Sequence, residues 1–266
     1  MIMFDILGSP DAWVALLTLT FLEIVLGIDN IIFISIAAGK LKEEDRKKAT
    51  QIGLVLAMVL RILLLFGISL LTALNEPLFY LDTQWVQGGI SGQALILFLG
   101  GLFLLYKSTK EIHEKIEDKN HDLNQVASKQ AKSLKSAIIQ IMIINIVFSF
   151  DSILTAIGMT NGISSNPTDA LIIMVIAVVI SVLIMMIFAN PVGRFVNNNP
   201  TIQILGLSFL ILIGFMLTTE AAHLSHLVVF NQSIGSIPKG YLYFSIAFSL
   251  MVEFLNMNIR KKTKTK

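Results

Sequence analysis

The sequence predicts an all-α membrane protein: seven transmembrane helices, arranged as two inverted three-helix repeats plus a C-terminal seventh helix. Three observations predict it. The composition is 55% hydrophobic and only 14% charged, where a soluble domain carries roughly a quarter charged residues. Seven apolar windows follow one another, each near the roughly 20 residues that cross a bilayer as a helix. One line of residues is also written twice, a whole number of helices apart. The 266 residues read as a single transmembrane domain, 1–266.

The windows fall at 11–38, 49–74, 92–107, 137–160, 168–190, 201–222 and 241–259. The third is short and is open to starting a few residues earlier. The connection after it, 108–136, is charged. It is expected to carry the third helix into water on the cytoplasmic side, with Glu111 and Lys115 as a supportive i,i+4 pair. Repeat one is then 11–107, repeat two 137–222, and helix seven 241–259 stands beside or outside the pseudo-twofold axis. No window is left over for a soluble domain.

Lys and Arg set the orientation. Of the 20 basic residues, 18 fall in the segments 40–48 and 107–135, at Arg194 and in the tail "RKKTKTK". Lys239 alone falls on the other side, and Arg61 lies within a span. The expected protein is multi-pass, N-terminus outside and C-terminus cytoplasmic. The start "MIMFDILGSPD" lacks a basic n-region, so no cleaved leader is expected.

The repeated line is "EIVLGIDNI" in helix one and "NIVFSFDSI" in helix four, with an offset of 122 residues. An odd number of helices per unit makes the two copies run in opposite directions. Inverted repeats of this kind are a transporter signature, with the site at the repeat interface. Six residues advance a helix by about 9 Å and about 600°. Glu23 and Asp29 therefore cannot face one small ion from a single regular helix. Either the helix breaks at Gly27, or each acid finds its partner across the repeat, with Glu23 at the depth of Asp151 and Asp29 at that of Asn145.

Acids inside a span are costly and mark function by default. Glu23, Asp29, Asn145 and Asp151 are accordingly the expected ligands of a cation. Asn30 and Ser152 are secondary candidates that could instead cap a helix break. Arg61 is a candidate counter-ion for the acids. Glu220 and Glu253 are further candidates, one at the end of helix six and one within helix seven. An all-oxygen cluster suits magnesium, calcium or manganese. No permanent cofactor is expected. The absence of cysteine removes thiolate chemistry. The four histidines, His113, His121, His223 and His226, lie outside firm spans and speak against a tetrahedral zinc centre. No nucleophile–base pair, HExxH motif or cofactor fingerprint points to an enzyme. The expected partners are the lipid bilayer and a transported divalent cation, with no nucleic acid; the oligomeric state stays open.

Taken together, "FLEIVLGIDNIIFISI", "NIVFSFDSILTAIGM" and "IPKGYLYFSIAFSLMVEFLN" resemble the TerC family of bacterial integral membrane proteins over nearly the whole chain. The resemblance implies manganese homeostasis by export, a link to tellurite resistance, and kinship with exporters of the lysine-exporter type. It maps the family's acidic positions onto Glu23, Asp29 and Asp151. Many relatives carry Asp where this chain has Asn145, and the segment before "IPKGY" is longer here. The chain looks like a short form without cytoplasmic sensing domains. The expected function is export of a divalent cation, manganese first. Proton exchange at the same acids is compatible with it, and alternating access would come from rocking 11–107 against 137–222. Export of a cationic or zwitterionic amino acid is the alternative. A non-transporting protein of tellurite or envelope stress resistance is the third reading.

Overall fold

The computed structural model describes residues 8–39, 41–67, 74–118, 134–160 and 167–264. The middle of the charged connection, 119–133 with His121, lies outside the described residues. The described helices are α1 (Pro10–Gly39), α2 (Glu43–Phe66), α3 (Gly92–Asp118), α4 (Leu134–Thr160), α5 (Pro167–Asn198), α6 (Pro200–Leu224) and α7 (Lys239–Lys264). Six of them are long and apolar enough to span a membrane, and α4 contributes a shorter apolar stretch, Leu134–Phe150. Over its described residues each of the seven expected windows falls on one helix; the second follows α2 to Phe66, and its residues 68–73 lie outside the described residues. At 30 residues α1 is roughly 45 Å long, more than the hydrocarbon layer needs.

Helix α3 begins at Gly92 and no earlier, because residues 86–91 form a strand. It does run on past the third window to Asp118, as expected for the charged connection. One face of that extension is shielded from water: Ser108 and Glu111 are buried. Glu111 pairs with Lys107 one turn back at 2.7 Å, and Lys115 donates to Gln203 of α6.

The chain divides into two compact units. One holds α1, α2, α4 and α5; the other holds α3, α6, α7 and four strands. In the first unit α1 packs most heavily on α5, and α2 packs on both α4 and α5. In the second, α3 and α6 form the main pair. A Cβ on Gly101 would come 2.7 Å from the Gly214 carbonyl oxygen, and one on Gly214 would come 2.9 Å from that of Gly101. Two facing glycines let the α3 and α6 backbones touch, the usual device where lipid removes the hydrophobic drive between helices. Each unit therefore takes helices from both sequence halves. Moving 11–107 rigidly against 137–222 would have to break the α1–α5, α2–α4 and α3–α6 packing.

The strands were not expected from the sequence. β1 (Pro77–Asp82) and β2 (Val86–Ser91) form an antiparallel hairpin with Tyr80 opposite Gly89 and Leu81 opposite Gly88. β2 also pairs with β3 (Val228–Val229), which pairs with β4 (Gln232–Ser233), giving the order β1-β2-β3-β4. The sheet joins the loop after α2 to the loop after α6. Both loops therefore lie at one end of the second unit, as chain alternation through a membrane requires. Phe230 and Asn231 at the β3–β4 turn have φ of 50° and 62°. Two left-handed residues in succession make the tight hairpin turn whose twist matches the strands. The Trp85 ring stands edge-on to Phe230 at 5.4 Å, and the Phe230 N–H donates to the Trp85 carbonyl at 3.0 Å. These two contacts hold a bulky residue in a conformation that bulky residues seldom adopt.

Candidate functional site

The site residues of the first unit grow out of helical spacing on α1. Thr20, Glu23, Gly27 and Asn30 follow at intervals of three and four, so they share one face. All four are buried, Glu23 at 5% exposure. Of the two options for this line, the interruption at Gly27 does not occur: α1 is helical from Pro10 to Gly39. Gly27 instead gives close approach. A Cβ there would collide with the sulfur of Met185 on α5, so the glycine lets α5 lie against the polar stripe of α1.

Arg61 of α2 faces that stripe. Its guanidinium Nη1 pairs with Glu23 Oε2, and both side chains are 6% exposed. Its Nε donates to Ser149 Oγ of α4 at 3.4 Å. Three helices are thus tied at one buried point. The expected pairing of Arg61 with an acid is realised at Glu23. The surroundings are otherwise apolar: a pocket of about 10 Å³ beside Glu23 is lined by Leu19, Leu65, Ile153, Ala156, Met174 and Val178, among others. That volume is on the scale of one water molecule.

The contacts with Ser149 and the wall formed by Ile153 and Ala156 put Glu23 level with residues 149–156 of α4. Asp151 belongs to that stretch of α4, and Asp29 to the continuous helix α1. The side chains of Asp29 and Asp151 lie outside the described residues. Asn145 is buried, and its Nδ2 donates to the Ile141 carbonyl one turn back at 2.9 Å. Ser152 is buried and donates to the Ser149 carbonyl at 3.2 Å. Both bonds are local to α4, which runs unbroken from Leu134 to Thr160, so neither residue caps a break. Asn30 is different. It is 4% exposed, and its Oδ1 meets no hydrogen-bond donor among the described residues. Buried carbonyl oxygens are nearly always satisfied, which sets Asn30 apart from the other candidates.

Glu220 and Glu253 belong to the second unit. Glu220 is half-buried in the last turns of α6. Glu253 is buried on α7 in a groove shared with Thr201, Leu205, Ser208 and Phe248. His223 sits in the last turn of α6, and His226 follows it with φ of 47°. Among the described residues no three His, Cys, Asp or Glu converge on one point.

Sequence reasoning missed Ser149 and Thr20. Ser149 aligns with Gly27 in the repeated line and reads there as a small spacer. Thr20 was visible as the residue one turn before Glu23 on the same face. It is buried, and its hydroxyl oxygen has no partner.

Comparison with known proteins agrees with this architecture. The profile of the family described as "Integral membrane protein TerC family" matches residues 8–266. A UPF0053 protein of Haemophilus influenzae is 42% identical over 98% of this chain and 100% of its own length. The UPF0053 inner membrane protein YgdQ of Escherichia coli is 45% identical over 98% of each chain. The longer UPF0053 inner membrane protein YoaE of Escherichia coli is 40% identical over 97% of this chain and 45% of its own length. No solved structure matches the chain. A multi-pass helical chain of the inner membrane that matches this profile almost end to end belongs to the TerC family of integral membrane proteins.

Proposed function

We propose that the chain is an inner-membrane transporter that exports a divalent cation, with manganese the first substrate to test. The observation that carries this reading is the buried Glu23–Arg61–Ser149 link, in the same bundle as the Asn30 oxygen that has no partner among the described residues. A buried carboxylate needs a partner, and Arg61 supplies one when no substrate is present. An arriving dication competes with Arg61 for Glu23. Arg61 keeps its second tether at Ser149, so the guanidinium is retained when the carboxylate turns to the cation. Asp29 and Asp151, on the two helices that carry the repeated line, supply the further carboxylates. Oxygen donors of this type suit hard divalent ions. The inverted relation expected of the repeated lines supports a transporter.

One observation favours a second reading. An amino acid substrate needs a donor for its carboxylate, and Arg61 beside Glu23 is such a donor. The experiment compares manganese, calcium, zinc and lysine flux in proteoliposomes for the unaltered chain, Asp29→Asn and Asp151→Asn. Manganese flux that both variants reduce at least tenfold supports cation export. Lysine flux with the same sensitivity moves the assignment to amino acid export. If nothing moves, or the variants match the unaltered chain for every solute, transport is excluded and a structural role in stress resistance takes its place.

A further inference from the structure

The first unit has a second cavity, apart from the one beside Glu23. It measures about 410 Å³ and opens where the end of α1, the start of α2 and the end of α5 come together. Its charged lining is Arg46, Lys47 and Arg194 against a single carboxylate, Glu43. Its neutral polar lining is Ser35, Thr50, Asn190, Asn197 and Asn198. This composition is the reverse of what a cation vestibule needs. Three fixed positive charges facing one negative charge repel a free dication and draw in an anion.

We propose that this cavity binds a phosphate group, carried either by an anionic lipid headgroup or by a small soluble phosphate compound. Four observations support it. The volume lies within the range of small-molecule sites. Arg46 is held in place: its Nε donates to the Leu41 carbonyl at 3.0 Å, which leaves its two terminal NH2 groups for a ligand. Two guanidinium groups and three asparagine amides in one lining supply the paired N–H donors that phosphate oxygens accept. The floor is also shaped for polar contents. Ser35 is buried and its Oγ donates to the Ile31 carbonyl at 2.6 Å, so its lone pairs stay open to a donor. A methyl group at Gly39 would collide with Asn197 Oδ1, so glycine is what lets that amide line the cavity.

The position sharpens the inference. Arg46 and Lys47 precede the second apolar window, and Arg194 follows the fifth. All three therefore fall at the boundary between hydrocarbon and water, on the basic side of the protein. Basic pockets between helices at that level are where anionic headgroups dock.

The test uses the full chain in a neutral maltoside detergent. Native mass spectrometry measures retention of phosphatidylglycerol against phosphatidylcholine, and calorimetry measures inorganic phosphate and pyrophosphate. The variant is Arg46→Gln with Arg194→Gln, and Lys239→Gln serves as a basic-residue control. The expected result is an affinity for at least one phosphate probe that the double variant weakens at least tenfold and the control leaves unchanged. Retention of phosphatidylglycerol alone assigns the headgroup as the source; binding of phosphate or pyrophosphate assigns a soluble compound. No probe bound above phosphatidylcholine, or equal binding by the double variant, overturns the proposal. If the double variant is not monodisperse, Arg194→Gln alone decides, since among the described residues the Arg194 side chain makes no hydrogen bond or ion pair.

Discussion

Replacing Arg61 by leucine leaves Glu23 buried beside an apolar pocket with its cationic partner gone. Both partners are 6% exposed, so water screens neither. Removing one member of a buried pair costs about 3–5 kcal/mol, because the survivor is an uncompensated charge. Arg61→Leu and Glu23→Gln should each lose about that much stability. Replacing both members of such a pair by uncharged groups is often neutral or stabilising by about 1–4 kcal/mol. The double variant Glu23→Gln/Arg61→Leu should therefore be more stable than either single one. A double-mutant cycle by denaturant unfolding in detergent micelles measures the coupling, expected to exceed roughly 2 kcal/mol. Single effects that add to within about 0.5 kcal/mol would refute the reasoning and reduce the ion pair to a geometric coincidence.

Three further outcomes follow from the packing. Gly101→Ala puts a methyl group into the backbone of Gly214 and should cost about 1–3 kcal/mol, while Gly235→Ala, with nothing within 4 Å, should be near neutral; thermal melts of both check this. Gly27→Val should destabilise by pushing Met185 off α1, and Met185→Ala should restore part of the loss in the double variant. Asn231→Val forces a β-branched residue into the left-handed region and should cost about 1–2 kcal/mol, whereas Asn231→Gly should not; limited proteolysis of the 223–240 loop reads the difference.

The spans were legible because a bilayer imposes a length, and each apolar window maps to a helix. The end of α3 was legible because its charges mark where the chain enters water. The sheet was hidden by its sequence. β2 reads "VQGGIS", with two glycines that carry no strand preference, and β3 and β4 have two residues each. Their pairing is set by loops brought together in space, not by local pattern. At the site, Arg61 was readable as a counter-ion because a lone cation among apolar residues needs an anion. Its choice of Glu23, and its second bond to Ser149, depend on how α1, α2 and α4 stack, which spacing along one helix cannot encode. Gly27 stayed ambiguous for a related reason: glycine marks a break or a close contact equally well, and only the neighbour, Met185, decides.

The interleaving of the two units has a consequence for biosynthesis. Helices α1 and α2 leave the ribosome long before α5, on which α1 depends for most of its packing, and α3 emerges before α6 supplies the other half of its glycine crossing. A nascent chain halted after α3 thus holds Glu23 and Arg61 in lipid with neither bundle closed. The early ion pair between α1 and α2 is a polar tether formed wholly within the first half. It is suited to keep that half in the translocon's vicinity until the second half arrives to wrap it.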